Sequence, residues 1–205
     1  MAAGNKNLNS AKTARKDEFY TQLTDIEKEM RYYRKHFKDK TGDGGVDMLD
    51  VAELFKSREN ELTELKGDGD FRFPECLELL DEADIVVTNP PFSLFREYVA
   101  VLVEHKKKYL IIGNVNAVKY KEIFPLFMKN ELWLGANIHS GDRAFFVPDN
   151  YPLDASGCGI DEETGRKFIR VKGVRWFTYM DIKQRHEELI LVKRYNPDDY
   201  PMVFR

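Results

Sequence analysis

The sequence predicts an α/β fold in which a mostly parallel sheet gains antiparallel strands toward the C-terminal end. A short β-branched run at residues 85–87 is bounded by turn residues, which is typical of a strand buried on both faces. Strand and helix patterns alternate from there to about residue 134, which favours right-handed crossovers between parallel strands. The last third carries several strand patterns in succession, which predicts antiparallel pairing.

Length and composition indicate a packed chain, residues 1–205, that forms a single domain with a flexible arm at 1–15 and a long surface loop at 148–166. The net charge of -3 excludes a protein that coats nucleic acid through overall charge, but a local basic face is still allowed. No apolar run is long enough to cross a bilayer. Two distant cysteines and four scattered histidines predict neither a disulfide framework nor a metal site, and a cytoplasmic location fits.

The first element is an amphipathic helix that begins after Lys16. Its apolar residues recur at alternating steps of four and three, which predicts one buried stripe made of Phe19, Leu23, Ile26, Met30, Tyr33 and Phe37. A glycine-rich loop at 41–45 ends this helix, and a short helical pattern follows at 48–55.

Later elements follow in order. Pro74 fits the first turn of a helix that precedes the strand at 85–87. Further helices are predicted at 94–103 and 120–128, a strand at 109–112 and an extended segment at 132–134. The antiparallel extension of the sheet is predicted from strands at 144–147, 168–171, 174–179 and 188–192.

The sharpest local signal is the passage from the strand at 85–87 into Asn89-Pro90-Pro91-Phe92. The two prolines predict a stiff, extended turn at the carboxyl end of a strand, where open α/β sheets bind ligands. The side-chain oxygen of Asn89 and the carbonyl of Pro90 are suited to accept the two N–H bonds of an extruded adenine, with Phe92 stacked on its ring. An ordinary structural turn is the alternative, since Asn and Pro are common turn residues.

This motif resembles that of the EcoRI-type adenine-specific DNA methyltransferases, which are S-adenosylmethionine-dependent enzymes. The resemblance covers most of the chain except about residues 40–60. Its motifs are Lys6-Asn7-Leu8, the segments 16–21, 66–72, 89–97 and 110–114, Arg175-Trp176-Phe177-Thr178, and the segment 186–189.

The resemblance implies a Rossmann-like, S-adenosylmethionine-dependent methyltransferase fold. It also implies a site-specific enzyme of a restriction-modification system that methylates the 6-amino group of a flipped adenine in double-stranded DNA. The catalytic loop would then be Asn89, Pro90, Pro91 and Phe92.

The same resemblance implies the cofactor contacts. Asp70 and Phe71 would contact the adenine of S-adenosylmethionine, with Asp68 in the same turn, although Gly-Asp turns are often simply solvated. Phe19, Tyr20 and Thr21 would lie near the methionine end of the cofactor, unless Phe19 and Tyr20 belong only to the helix stripe.

A basic cluster at the end of the first helix includes Arg34 and Lys35. These residues are candidates for contact with DNA phosphates, and the alternative is that they complement the helix dipole.

One departure from the family pattern falls between the first helix and Lys66, where the first cofactor-binding strand is expected but no β-branched run is found. An alternative function follows, namely a shortened, catalytically impaired relative that acts as a DNA-binding module. A third hypothesis keeps the chemistry and changes the substrate to RNA or to a protein glutamine amide.

Overall fold

The structure is a computed structural model that describes residues 19–37, 65, 69–137, 142–153, 157–188 and 196. The predicted arm at 1–15, the predicted helix at 48–55 and all of the predicted strand at 188–192 except its first residue lie outside these ranges. The described part has a mixed α/β architecture with both parallel and antiparallel strands.

The helices and strands agree with most of the sequence predictions. The α-helices of the described ranges are α1 (Leu23–Met30), α2 (Arg34–Phe37), α3 (Pro74–Glu82), α4 (Phe95–Glu104) and α5 (Phe124–Met128). The strands there are β1 (Ile85–Thr88), β2 (Lys108–Asn114), β3 (Trp133–Leu134), β4 (Asp142–Phe146), β5 (Cys158–Ile160), β6 (Lys167–Lys172) and β7 (Val174–Thr178). None of the described helices combines the length and the apolar character needed to cross a membrane.

The first sheet has the strand order β1-β2-β7-β3. Strands β1 and β2 are parallel, whereas β7 is antiparallel to both of its neighbours. The prediction of a mostly parallel sheet is therefore wrong for the described strands. The reason is that β7 lies between β2 and β3 and runs in the opposite direction to both.

The second sheet has the order β4-β6-β5 and is antiparallel throughout. The predicted antiparallel extension of one sheet is correct for β7, which joins the first sheet, but wrong for β4 and β6. The chain leaves the second sheet at Gly173, whose φ of 70° suits glycine, before it enters the first sheet as β7. The predicted loop at 148–166 is also wrong in part, since it contains β5. Hydrogen bonds around Asp161 close the turn that pairs β5 with β6.

The core covers both faces of β2. Leu110 and Ile112 belong to a buried cluster that also contains Trp176 of β7 and Phe145 and Ile169 of the second sheet. On the opposite face, Tyr109 and Ile111 pack with side chains of α4. Burial on both faces accounts for the continuous apolar run that the sequence shows at β2.

The N-terminal segment differs from its prediction. Helix α1 begins at Leu23, and residues 19–22 precede it in a non-helical conformation. Tyr20 forms an antiparallel bridge with Phe146, in which each backbone N–H donates to the other residue's carbonyl at 2.8 and 3.1 Å. Tyr20 and the preceding Phe19 are therefore outside the helix, because this bridge satisfies the Tyr20 backbone against the second sheet.

Glu29, a fully buried carboxylate, connects helix α1 to the loop after β3 by hydrogen bonds. It accepts hydrogen bonds from the backbone N–H groups of Ala136 and Asn137 at 2.8 and 2.7 Å, and from the Tyr33 hydroxyl at 2.9 Å. Burial and the neighbouring Glu29 charge raise the pKa of Tyr33. A Cβ at Gly135 would overlap a Glu29 carboxylate oxygen, so only glycine allows this close approach.

Candidate active site

The Asn-Pro-Pro-Phe turn follows β1 directly and therefore lies at the carboxyl edge of the first sheet. Asn89 follows directly after Thr88, and Pro90 is buried. The carbonyl of Pro91 accepts the backbone N–H of Leu94 at 3.0 Å, which starts a 3₁₀ turn at Phe92–Leu94. Among the described residues, by contrast, no hydrogen bond reaches the carbonyl of Pro90. The turn therefore keeps a backbone acceptor available, as its prolines predict.

Of the two polar atoms in the Asn89 side-chain amide, only the nitrogen has a hydrogen-bond partner among the described residues. Its nitrogen donates to the carbonyl of Phe19, which orients the amide. The oxygen Oδ1 is buried, and no partner for it is found within the described part of the chain. A buried acceptor without a partner costs about 1–3 kcal/mol. Such a group is expected where a ligand completes the hydrogen bonding.

A cavity of about 600 Å³, which we call the Asn89 cavity, opens beside this amide. It lies between the N-terminal segment and the end of β1, and its volume is typical of small-molecule sites. Three of its lining residues carry a buried polar atom without a partner among the described residues, namely Thr21 Oγ1, Asn89 Oδ1 and Trp176 Nε1. The full lining is Phe19, Tyr20, Thr21, Ile26, Val87, Thr88, Asn89, Pro91 and Trp176.

A second cavity, which we call the Asp70 cavity, has a volume of about 700 Å³. Asp70 and Phe71 line it together with side chains of α3 and α4. Thr88, Asn89 and Pro91 line both cavities, so the turn forms a wall that the two share. The structure thus brings the predicted catalytic loop next to both sets of predicted cofactor residues, while Asp68 lies outside the described residues.

Asp70 is a charged acceptor held by Arg72. The carboxylate accepts the backbone N–H of Arg72 at 3.0 Å and its Nε at 2.8 Å, and a second guanidinium nitrogen reaches the other oxygen. These bonds lower the pKa of Asp70 to about 2. Beside it, the Phe71 ring packs edge-on against Tyr98, with ring centroids 4.9 Å apart. A carboxylate has several lone pairs, so Asp70 can still accept a hydrogen bond from a ligand.

Phe92 is part of an aromatic cluster rather than a free platform. Its ring is partly buried and meets Phe19 and Phe145 edge-to-face, at centroid distances of 5.6 and 6.2 Å. The predicted stacking of Phe92 on a base stays a prediction.

The predicted DNA contacts Arg34 and Lys35 are not brought to the turn. They line a separate cavity of about 520 Å³. Lys35 donates to the carboxylate of Asp181 at 2.8 Å, and His186 bonds the same carboxylate. Both partners lower the pKa of Asp181 to about 2. Lys35 is therefore already paired with Asp181, although both Lys35 and Arg34 are exposed.

Sequence reasoning gave no role to two features of the site region. Trp176 lines the Asn89 cavity with an indole N–H that has no partner among the described residues. A tryptophan inside a predicted buried strand is the signal that identifies it, because buried indole N–H groups normally find a partner. Arg143 and Arg175 are close enough that burial and the charge of Arg143 lower the pKa of the Arg175 guanidinium. Within the described ranges, no three His, Cys, Asp or Glu side chains gather in a way that suits a metal ion.

Comparison with known proteins gives the family. The chain matches the family model described as adenine-specific methyltransferase EcoRI over residues 7–42 and 41–204. The chain belongs to the EcoRI adenine-specific methyltransferase family. The resemblance predicted from the sequence is thereby confirmed. No solved structure matches the chain significantly.

Curated relatives in the EcoRI family carry type II methyltransferase names. M.EcoRI of Escherichia coli is 37% identical over 250 residues, which cover 97% of this chain and 76% of the relative. M.MpnI of Mycoplasma pneumoniae is 34% identical, with 95% of this chain and 71% of the relative covered. M.MgeORF184P of Mycoplasma genitalium is also 34% identical, with 83% and 64% covered.

The family match is interrupted at one place. Its two segments meet at residues 41 and 42, between the first helix and Lys66, where no first strand was found in the sequence. Because the alignment with M.EcoRI runs over 250 residues and the chain has 205, that alignment includes M.EcoRI positions at which this chain has no residue.

Proposed function

We propose that this member of the EcoRI methyltransferase family is a site-specific DNA adenine methyltransferase, which transfers a methyl group to the 6-amino group of an adenine flipped out of the duplex. The observation that carries the proposal is the pair of unpaired acceptors at the turn. Asn89, whose Oδ1 has no partner among the described residues, lines both cavities, and Pro90 beside it lines the Asp70 cavity. The methyltransferase names of the relatives agree with this function, and none of these findings favours a mere DNA-binding module.

The turn suits the substrate because its free groups are acceptors. An adenine amino group has two N–H bonds, and its lone pair is delocalised into the ring. Asn89 and Pro90 would each accept one of these bonds, which orients the nitrogen toward the methyl donor and favours a more nucleophilic nitrogen. With a sulfonium donor bound, the new N–C bond would form as the methyl–sulfur bond breaks, which would leave a neutral thioether, and the amino nitrogen would release one proton to water. Phe92 would stack on the base, and Pro91 would keep the turn rigid.

The methyl donor is proposed to be S-adenosylmethionine, which supplies a methyl group on a sulfonium sulfur. Asp70 and Phe71 would hold its adenine, since the carboxylate accepts from an amino group and the aromatic ring contacts the base. Phe19, Tyr20 and Thr21 would lie at its methionine end, on the other side of the turn. The two cavities and the orphaned polar atoms fit a ligand of this kind.

The remaining parts of the proposal concern the fold, the partner and the location. We infer a Rossmann-like methyltransferase fold from the parallel strands β1 and β2 with a ligand turn at their carboxyl edge. Double-stranded DNA would be bound in part through Arg34 and Lys35, and the chain would act in the cytoplasm as part of a restriction-modification system.

The test is methyl transfer by this chain. The protein is incubated with methyl-labelled S-adenosylmethionine and mixed-sequence duplex DNA, and the DNA is digested to nucleosides. We expect the label in 6-methyladenine, and the same assay on separate duplexes of defined sequence should find it in one sequence context. Label in cytosine, or transfer only to RNA or protein, would reject the proposed substrate.

A further inference from the structure

Trp176 stands in the same row of the sheet as the catalytic turn. In the register of β1 and β2, Thr88 pairs with Ile111, so Asn89 continues the row that contains Ile112. Ile112 in turn pairs with Trp176 of β7. Trp176 is only 2% exposed, and it lines the Asn89 cavity together with residues of the N-terminal segment.

The indole Nε1–H is a buried donor without a partner among the described residues. An indole nitrogen can only donate, so a ligand group that satisfies it must be an acceptor. Thr21 Oγ1, which also lacks a partner there, adds a second donor to the same cavity. The acceptor Asn89 Oδ1 serves the opposite kind of group, an N–H. The cavity therefore presents donors and an acceptor at separate points.

The two cavities offer different hydrogen-bonding groups to the two ends of the proposed methyl donor. The ionised Asp70 carboxylate only accepts hydrogen bonds, so it suits the amino group of the donor's adenine and not a second carboxylate. None of the described residues that line the Asn89 cavity is charged, and its free donors are an indole N–H and a hydroxyl. A carboxylate accepts hydrogen bonds and offers none, so these donors match it.

We propose that Trp176 donates a hydrogen bond from Nε1 to the α-carboxylate of S-adenosylmethionine, with the Thr21 hydroxyl as a second donor. This inference rests on the proposed function and goes beyond it by assigning a cofactor-binding residue on β7. Trp176 thereby fixes the methionine end of the methyl donor against the turn.

The test uses a ligand that lacks the carboxylate. Calorimetry measures the affinity of the wild-type chain and of Trp176→Phe for S-adenosylmethionine and for its decarboxylated analogue. Phenylalanine keeps an aromatic ring and removes the N–H. We expect Trp176→Phe to weaken S-adenosylmethionine binding about ten-fold and to leave binding of the analogue unchanged.

Trp133→Phe is the matched control. Its Nε1 is also buried without a partner in the described chain, but the residue lines neither cavity, so both affinities should stay at the wild-type value. Thr21→Val gives an independent variant should Trp176→Phe fold poorly, and it should show the same selective loss.

The outcomes separate this inference from the proposed function. Equal loss for both ligands, or no loss for either, overturns the contact between Trp176 and the carboxylate. A loss confined to DNA binding also overturns it and assigns the indole to the flipped base instead. If the wild-type chain binds neither ligand, the proposed cofactor fails and the inference falls with it.

Discussion

Asn89 and Asn114 stand at the ends of neighbouring parallel strands, yet their amides are used differently. Asn114 donates to the Lys172 carbonyl at 3.0 Å and accepts the Asn116 N–H at 3.0 Å, so both of its polar atoms serve the backbone. In the part of the chain that the structure describes, Asn89 bonds the backbone through its nitrogen alone. The difference is what a ligand-binding asparagine requires, because an acceptor already used by the chain is not available to a substrate.

At the same scale, Asp70→Ala is predicted to weaken binding of S-adenosylmethionine about ten-fold or more, since hydrogen bonds to charged groups are stronger than those between neutral groups. The pKa of Asp70 is about 2, so its contribution is present at neutral pH and is lost only as the pH falls through about 2. Asp161→Ala is the control, because that exposed carboxylate also caps a turn and lines neither cavity. Equal affinity of both variants would remove Asp70 from the site.

At the scale of elements, local patterns predicted β1, β2, α3 and α4, because each carries an unbroken run of apolar or helix-forming residues. The predicted start of α1 was wrong because it depends on the Tyr20–Phe146 bridge, which joins residues far apart in the sequence. The division into two sheets likewise depends on strand partners that no local pattern encodes.

The same distinction applies to the site. The residues of the turn are contiguous and were predictable as a unit. That the turn lines the same cavity as Thr21 and Trp176 depends on how the segment before α1 and strand β7 pack, which only the structure shows.

The attachment of α1 gives a prediction for stability. Glu29→Gln replaces an acceptor with an amide whose NH₂ group would face two backbone N–H donors, so the free energy of unfolding should fall by about 1–3 kcal/mol. Lys28→Gln, at an exposed position of the same helix, should change it little. Urea denaturation measures both. Wild-type stability for Glu29→Gln would show that these hydrogen bonds do not hold α1.

At the scale of the whole molecule, one buried cluster contains side chains of both sheets, which supports our proposal that the chain is a single domain. We expect near-ultraviolet and far-ultraviolet circular dichroism to report one coincident unfolding transition. Two separated transitions would indicate two independently stable units.

The proposed DNA binding depends on where basic groups lie on the surface. Because the net charge is -3, affinity for DNA must come from local basic groups. Arg34→Ala should weaken binding to all DNA sequences and lower the salt slope by about 1. Lys35→Ala should have a smaller effect because Asp181 already binds that ammonium. Fluorescence anisotropy at several salt concentrations checks both, with the exposed Lys121→Ala as control. An unchanged slope for Arg34→Ala would place the DNA on another face.

The most direct measurement is transfer of labelled methyl to DNA by Asn89→Ala, with S-adenosylmethionine affinity measured in parallel. Loss of an acceptor used mainly in the transition state costs about 2.7–4 kcal/mol by analogy with an oxyanion-hole donor, so the rate should fall about 10²-fold or more while donor affinity stays nearly constant. Asn114→Ala, at the end of β2, should lose stability but keep near-normal transfer per folded molecule. Near-normal transfer by Asn89→Ala would contradict the account and make the turn purely structural.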